Sequence, residues 1–182
     1  MTTQVSRRGF MKLSASSAAV LSMGSGLAMM TGCSRQPDSN GGYTFLTADD
    51  IEFVNAIAPV ILLQAYPASL TLEDAQLRLT RKLDELINTL QQYSKDQLSQ
   101  LFGIMSSAPL RLAVGAPVSG WKGAPAADIE AFLDSWKNSS LAIKNMGYAS
   151  LCKLVTMCWY SQPESFVASG YPGPPKKIPM PA

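Results

Sequence analysis

Apolar residues recur every three or four positions along most of the chain after residue 47, which is the spacing of one face of an α-helix. No stretch shows the strict alternation of apolar and polar residues that marks a strand, and no segment repeats another. The pattern therefore predicts an all-α fold, a single compact domain of about five helices.

Hydroxyl residues mark the expected starts of the first three helices. Thr47 with Asp50 three places later is an acidic variant of the capping box, and Pro59 is expected to kink or end the helix that follows. Thr71 is expected to cap the second helix and Ser94 the third. The apolar positions of these helices are Ile51, Val54, Ile57, Ala58 and Ile61, then Leu72, Ala75, Leu79, Leu83, Leu86, Ile87 and Leu90, then Leu98, Leu101, Phe102 and Met105.

The remaining chain is predicted to hold a loop, two helices and an arm. Proline and glycine fill residues 109–125, which are expected to form the loop. A fourth helix follows, and a fifth is expected from Leu141 to about Tyr160, beginning at Ser139 or Ser140. Residues 170–175 cannot be helical and predict an extended arm. The buried positions expected are Ile129, Phe132, Leu133 and Trp136 in the fourth helix and Ile143, Gly147, Leu151, Leu154, Val155 and Cys158 in the fifth.

The first 33 residues have the features of an export leader. Arg7 and Arg8, with Phe10 two places on, precede an uncharged stretch that runs to Gly32. This order is typical of a twin-arginine signal, which takes proteins through the twin-arginine translocase already folded. Serine and glycine dilute the apolar stretch, which makes it a poor permanent membrane helix.

The end of the leader, Met30-Thr31-Gly32-Cys33, resembles a lipoprotein cleavage box. Small residues before the cysteine would admit the peptidase, and the thiol of Cys33 would carry the lipid that anchors the protein to a membrane. Ser34 stands where Asp is the usual signal for retention at the inner membrane, so a periplasmic position at the outer membrane is favoured. Cleavage elsewhere, or retention of the segment as an anchor, stays open.

The leader and the helical pattern divide the chain into three parts. Residues 1–32 are predicted to be the signal peptide, residues 33–46 a polar tether, and residues 47–182 the helical domain with its arm. Loss of the leader leaves 12 of the 15 basic residues against 13 acidic ones, a net charge of about −1. Such a balance offers no basic surface, and no nucleic-acid partner is expected.

The 182 residues include no histidine. This excludes Ser-His-Asp and Cys-His catalysis and histidine-ligated zinc or haem. No Gly-x-Gly-x-x-Gly or Gly-x-x-x-x-Gly-Lys loop provides a phosphate cradle. The acidic pairs at residues 49–50 and 73–74 are expected in first helical turns, where carboxylates meet the positive end of the helix dipole. No catalytic, cofactor-binding or metal-binding residue is therefore assigned to this chain.

Cys152 and Cys158 are the two cysteines beyond Cys33. Six residues of helix separate them by about 9 Å along the axis, which is too far for an intrahelical disulfide. They are interpreted as small buried hydrophobes, and the methionines of the mature chain as core residues. Pairing of a cysteine with another subunit stays open.

The C-terminal region combines aromatic and proline residues. Two aromatic groups and a rigid proline arm give a large contact surface at small entropic cost, which predicts a partner interface. Alternatively the arm folds back and packs Tyr171 against Trp159, and both descriptions can hold together. The interface residues predicted are Trp159, Tyr160, Gly170, Tyr171, Pro172, Gly173 and Pro174.

The twin-arginine leader, the opening Leu46-Thr47-Ala48-Asp49-Asp50 and the closing motif at residues 159–160 and 170–174 resemble the gluconate 2-dehydrogenase subunit 3 family. Its members are the small subunits of membrane-bound dehydrogenases of gluconate, sorbitol, fructose and glucose. In that family a large subunit binds FAD and oxidises the sugar or alcohol, and a cytochrome c subunit often accepts the electrons. The resemblance implies a non-catalytic small subunit, with FAD in its partner. The lipid box at Cys33 departs from many members.

Two functions from different classes therefore compete. The first is an accessory subunit that supports export, maturation or docking of a periplasmic FAD-dependent sugar or alcohol dehydrogenase. The second is a free-standing periplasmic lipoprotein that acts as a ligand-binding or scaffold module, and it predicts an enclosed pocket. An enzyme in its own right would need a site without histidine, and no convergent set of residues suggests one.

Overall fold

The computed structural model describes residues 35–63 and 65–174, so the predicted export and lipidation residues Arg7, Arg8, Phe10 and Cys33 lie outside it. The described residues form seven helices and no strand, and the predicted all-α class is confirmed. Two short helices raise the number above the five expected. The helices are α1 (Ala48–Ile61), α2 (Leu72–Thr89), α3 (Gln92–Ser106), α4 (Ala108–Ala113), α5 (Ala126–Lys137), α6 (Ala142–Tyr160) and α7 (Pro163–Ser169).

Helix α1 lies in the middle of the domain, in contact with α2, α3, α5 and α6. It begins with the predicted capping box: the Thr47 hydroxyl accepts the Asp50 N–H at 3.2 Å, and the Asp50 carboxylate accepts the Thr47 N–H at 2.8 Å. That carboxylate is fully buried and also accepts the Ser106 hydroxyl at 2.6 Å. Because a buried charge needs such partners, the cap also fixes the end of α3 against α1.

Pro59 lies inside α1, which continues for two residues beyond it. Proline has no N–H to donate to the carbonyl four residues earlier, that of Asn55. The side-chain amide of Gln76, on α2, donates to this carbonyl at 3.1 Å. The neighbouring helix thus supplies a donor where the proline cannot, and α1 ends at Ile61.

Aromatic rings form a continuous row through the core. Phe102 packs edge-on against Phe53 with centroids 6.0 Å apart, Phe53 lies 4.7 Å from Trp121, and Trp121 lies 5.3 Å from Phe132. Phe132 is in turn 5.3 Å from Trp136. These pairs join α3, α1, the loop before α5 and α5 itself. Each ring contact contributes stability beyond that from burial of the rings.

The three tryptophans each hold a chain segment through the indole N–H. Trp121 donates to the Met105 carbonyl at 2.6 Å, and Trp136 donates to the Val114 carbonyl at 3.1 Å. Trp159 donates to the carbonyl of Ala65, in the connection between α1 and α2, at 3.3 Å. The accepting carbonyls lie at a helix end or in a connection, where backbone groups lack helical partners.

The segment predicted to be a tether is folded onto the domain from Asp38 onward, so its boundary moves. The Asp38 N–H donates to the Leu46 carbonyl at 2.9 Å, and Leu46 is fully buried. Tyr43 is also buried: its hydroxyl bonds that of Thr80 at 2.8 Å. The polar composition of the segment reflects turns that pack against α2 rather than a free linker.

A carboxylate on α2 holds the end of this segment. Asp84 accepts the backbone N–H groups of Thr44, Phe45 and Leu46 at 2.9–3.0 Å, and the Thr44 hydroxyl at 2.9 Å. Burial opposes ionisation of Asp84, but these hydrogen bonds outweigh it and lower the pKa of the carboxyl group. The chain entering α1 is therefore fixed by a charged group on its neighbour.

Two predicted helix boundaries are wrong. Thr71 caps α2 as expected, but α3 begins at Gln92, and Ser94 lies inside its first turn. Leu90 and Gln91 are extended and Gln91 is the residue before the helix, so Ser94 is already helical and cannot be the cap. The predicted loop 109–125 also contains most of α4, which accommodates Pro109 in its first turn.

Candidate partner interface

Trp159, predicted to contact a partner, is completely buried. Its ring packs edge-on against Tyr66 at a centroid distance of 4.9 Å and an interplanar angle of 88°. From this position the Trp159 side chain presents no surface to another protein. Its role in the structure is to fix the α1–α2 connection onto α6, and the interface prediction is corrected at this residue.

Tyr66, the ring against which Trp159 packs, lies in an apolar environment. Burial raises the pKa of Tyr66 to about 12. The Tyr66 hydroxyl is buried and has no hydrogen-bond partner among the described residues. The aromatic pair thus stabilises the connection through ring packing and the indole hydrogen bond rather than through the phenol hydroxyl.

The C-terminal arm folds back at its start, but not onto Trp159. Gly170 ends α7 in the left-handed conformation (φ 71°), and the Tyr171 N–H donates to the Phe166 carbonyl at 2.9 Å. The Tyr171 ring packs edge-on against Phe166 at 5.0 Å. The alternative pairing of Tyr171 with Trp159 is therefore replaced by a local pairing within the last helical turn. Pro172, Gly173 and Pro174 follow as a non-helical segment.

An ion pair fixes α7 on the domain. Arg78, on α2, donates to the Glu164 carboxylate at 2.6 Å, with the two side chains 48% and 29% exposed. Exposed pairs of this kind contribute little free energy, but this one joins positions far apart in sequence. It holds the first turn of α7 next to α2, and so gives the arm a defined starting point.

The predicted interface retains two exposed aromatic residues. Tyr160 is 41% exposed at the end of α6, and Tyr171 is 47% exposed at the start of the arm. Between them along the chain, Val167 is 89% exposed. Single exposed apolar residues are ordinary on a protein surface, and these three lie within twelve residues of one another in the region predicted as the interface.

Helix α6 exposes further large apolar residues that the sequence interpretation placed inside. Ile143 was expected in the buried stripe but is 73% exposed. Met146 and Met157, expected in the core, are 64% and 48% exposed. The buried side of α6 consists instead of Leu151, Val155, Cys158 and Trp159. Apolar residues occur on both sides of this helix, so spacing alone could not identify the buried side.

The two cysteines of α6 are free thiols. Cys158 is buried, and burial raises the pKa of its thiol to about 11, with a smaller opposing effect from Lys82. A hydrogen bond with Cys152 raises the pKa of Tyr148, with burial as the next cause. Cys158 therefore stays protonated at neutral pH and fits its predicted role as a small core residue.

A depression of about 470 Å³ lies between the 114–118 loop and α5 and is open to solvent. Asp128, Ser135 and Lys144 supply its polar side chains. The Lys144 ammonium donates to the Val114 carbonyl at 3.3 Å, and the Ser135 hydroxyl donates to the Phe132 carbonyl at 2.7 Å. Two of the three polar side chains thus donate hydrogen bonds to backbone carbonyls.

No described helix is both long and apolar enough to cross a membrane. Within residues 35–63 and 65–174, no three His, Cys, Asp or Glu side chains are grouped so that they could hold a metal ion. Comparison with protein-family models, curated proteins and solved structures finds nothing that matches this chain.

Proposed function

We propose that this chain is a non-catalytic accessory subunit of a periplasmic FAD-dependent sugar or alcohol dehydrogenase, exported through a twin-arginine leader and anchored by lipid at Cys33. The enzyme class comes from the resemblance to the gluconate 2-dehydrogenase small subunits. In this proposal the chain supports export, maturation or docking of the catalytic subunit, and FAD binds to that catalytic subunit.

One observation carries the proposal: the end of the domain beside the arm combines a firm internal support with exposed aromatic residues. Trp159 is buried and Tyr171 is locked onto Phe166, while Tyr160 and Tyr171 keep 41% and 47% of their surface exposed. A rigid base with exposed aromatic groups is the arrangement that binds another protein at low entropic cost.

The leader supports the same proposal through the order of cellular events. A twin-arginine signal exports folded proteins, and this domain has no recognisable cofactor motif that would require folding before export. A flavoprotein must receive its flavin before it leaves the cytoplasm. A flavoprotein partner that is exported together with this chain would explain why the chain has a leader for folded proteins.

The test is purification of the tagged full-length chain from native envelopes in mild detergent, read by mass spectrometry and flavin absorbance. The variants are Tyr160→Ala and Tyr171→Ala, separately and together. Trp159→Ala is unsuitable because removal of a fully buried indole would disturb the fold. Leu112→Ala, at a 46% exposed position on α4, is the matched control.

The expected result is a stoichiometric flavoprotein that co-purifies with the wild-type chain and the Leu112→Ala control and is lost with the double variant. A flavoprotein that survives the double variant would preserve the function and remove this interface. A colourless protein without a dehydrogenase subunit would contradict the proposal and favour the free-standing lipoprotein.

A further inference from the structure

Six exposed positions form one straight stripe along the outer side of α6. They follow one another at intervals of three, four, three, four and three residues, the spacing of a seam between paired helices. At 1.5 Å per residue the stripe is about 26 Å long. We call it the α6 seam, and its members are Ile143, Met146, Ser150, Lys153, Met157 and Tyr160.

The α6 seam is apolar at four positions of large area. Ile143, Met146, Met157 and Tyr160 are between 41% and 73% exposed. A surface helix of a globular protein normally turns a polar side to water. Helix α6 packs against α1, α2 and α5 and buries Leu151, Val155, Cys158 and Trp159, so the seam is a second apolar side, and it is exposed.

The spacing identifies the kind of structure that fits the α6 seam. Side chains at alternating intervals of three and four residues insert between those of another helix with the same spacing. A helix of four or five turns would cover the full length of the seam.

The charge of the α6 seam indicates that the helix bound to it belongs to a different protein. Lys153 is exposed and is the seam's one charged residue, and α6 contains no Asp or Glu at all. Two copies paired over their full length, parallel or antiparallel, would place two Lys153 ammonium groups in the central layers without a carboxylate on either helix. A partner helix with a carboxylate at its middle would pair with Lys153 instead.

We infer that the α6 seam binds an amphipathic helix of a partner protein, with apolar side chains at three-four spacing and a carboxylate opposite Lys153. The identity of that partner as the dehydrogenase subunit rests on the proposed function. The seam ends at Tyr160, which is also a residue of the predicted interface, so the two surfaces share this side chain. One partner can therefore occupy both.

The experiment uses carbodiimide, which joins an amine directly to a carboxylate, on the full-length chain in native envelopes. Lys153→Arg keeps the positive charge but removes the reactive amine, so we expect the complex to remain and the cross-link to disappear. Lys153→Glu and Met157→Glu should each lower partner recovery at least roughly tenfold. Lys122→Glu, the same charge change at an exposed position away from α6, should leave recovery unchanged. Thermal unfolding of each variant checks that the fold is intact.

The supporting result is specific to position. Peptide mapping should place the carboxylate joined to Lys153 within a partner segment whose apolar residues follow three-four spacing. A cross-link between two copies of this chain, no cross-link at Lys153, or full recovery with both glutamate variants would overturn the inference.

The same experiment separates this inference from the proposed function. A flavoprotein recovered equally with Lys153→Glu and Met157→Glu would preserve the function and remove the seam as its binding site. A helix cross-linked to Lys153 in a partner without flavin would preserve the seam and remove the dehydrogenase.

Discussion

Gly147 on α6 lies against the face of the Trp136 ring on α5, so closely that a Cβ atom at Gly147 would overlap ring carbon Cζ3. Trp136 cannot move away easily, because it is buried and its indole N–H is bonded to the Val114 carbonyl. The absence of a side chain at this position thus sets how closely α5 and α6 approach.

The substitution Gly147→Ala tests this contact. Alanine in place of glycine inside a helix normally stabilises it by up to about 1 kcal/mol. Here the clash with Trp136 should reverse the sign and lower the free energy of unfolding by about 1–3 kcal/mol. Urea unfolding measures the change. The double variant Gly147→Ala with Trp136→Leu should show a much smaller effect of the alanine, and equal effects in both backgrounds would rule out the clash.

Asp84 holds residues 44–46 before α1, and this contact should make the stability of the domain depend on pH in acid. Its pKa in the folded chain lies below the unfolded value of about 3.9, so the ionised group stabilises the fold above that pH. This contribution is lost as the pH falls below about 4 towards the folded pKa. We expect Asp84→Asn to flatten stability against pH in this range, and Asp84→Ala to cost about 2–4 kcal/mol at neutral pH. An unchanged acid profile in Asp84→Asn would contradict the assignment.

The Tyr66 hydroxyl should make the domain less stable in alkali, whereas Asp84 makes it less stable in acid. Because its pKa is about 12 in the folded chain and about 10 when unfolded, stability is lost as the pH rises through that window. Tyr66→Phe keeps the ring against Trp159 and removes the ionising group. We expect equal or slightly higher stability at pH 7 and a smaller loss between pH 10 and 12, measured by urea unfolding. A large loss at pH 7 would indicate a hydrogen bond that the structure does not contain.

Alanine substitutions at Trp159 and Tyr171, two residues of the predicted interface, should lower the free energy of unfolding by different amounts. Trp159→Ala empties a fully buried site and should cost about 3–5 kcal/mol. Tyr171→Ala removes a half-exposed ring and one edge-on contact with Phe166, and should cost about 1 kcal/mol or less. Thermal unfolding compares the two variants directly. Similar losses for both would mean that the arm belongs to the core.

The long helices and their first two caps could be predicted because local signals agree with burial there. Thr47 and Thr71 each accept the N–H three residues later, and most of the apolar residues predicted to share one face after them pack into the core, although Leu72 is 54% exposed. The two short helices have a local signal in the sequence, because proline is common in the first turn of a helix and glycine just after its end. Pro109 lies in the first turn of α4, and α7 starts with Pro163 and ends before Gly170.

The start of the domain and the exposed side of α6 could not be predicted from local pattern. Residues 38–42 are polar and turn-forming, and the residues that follow, at 44–46, are held by hydrogen bonds to Asp84, about forty positions away. The two sides of α6 have similar composition, and which one is buried depends on where α1, α2 and α5 lie. For the same reason the sequence predicts that Trp159 is an interface residue. An aromatic residue at a helix end suits either the core or a partner, and only tertiary contacts decide.

If Cys33 carries lipid as proposed, the hydrogen bond between the Asp38 N–H and the Leu46 carbonyl would limit how far the domain lies from a bilayer. With Cys33 lipidated, four residues separate the anchor from Asp38, and the five Cα–Cα steps between them span at most about 18 Å even when fully extended. The domain would therefore rest close to the headgroups, and its encounters with other proteins of the same membrane would become a search within a plane. A weak surface contact gains effective concentration under such confinement, so a seam of modest intrinsic affinity would suffice at the membrane while the free domain stays monomeric in solution.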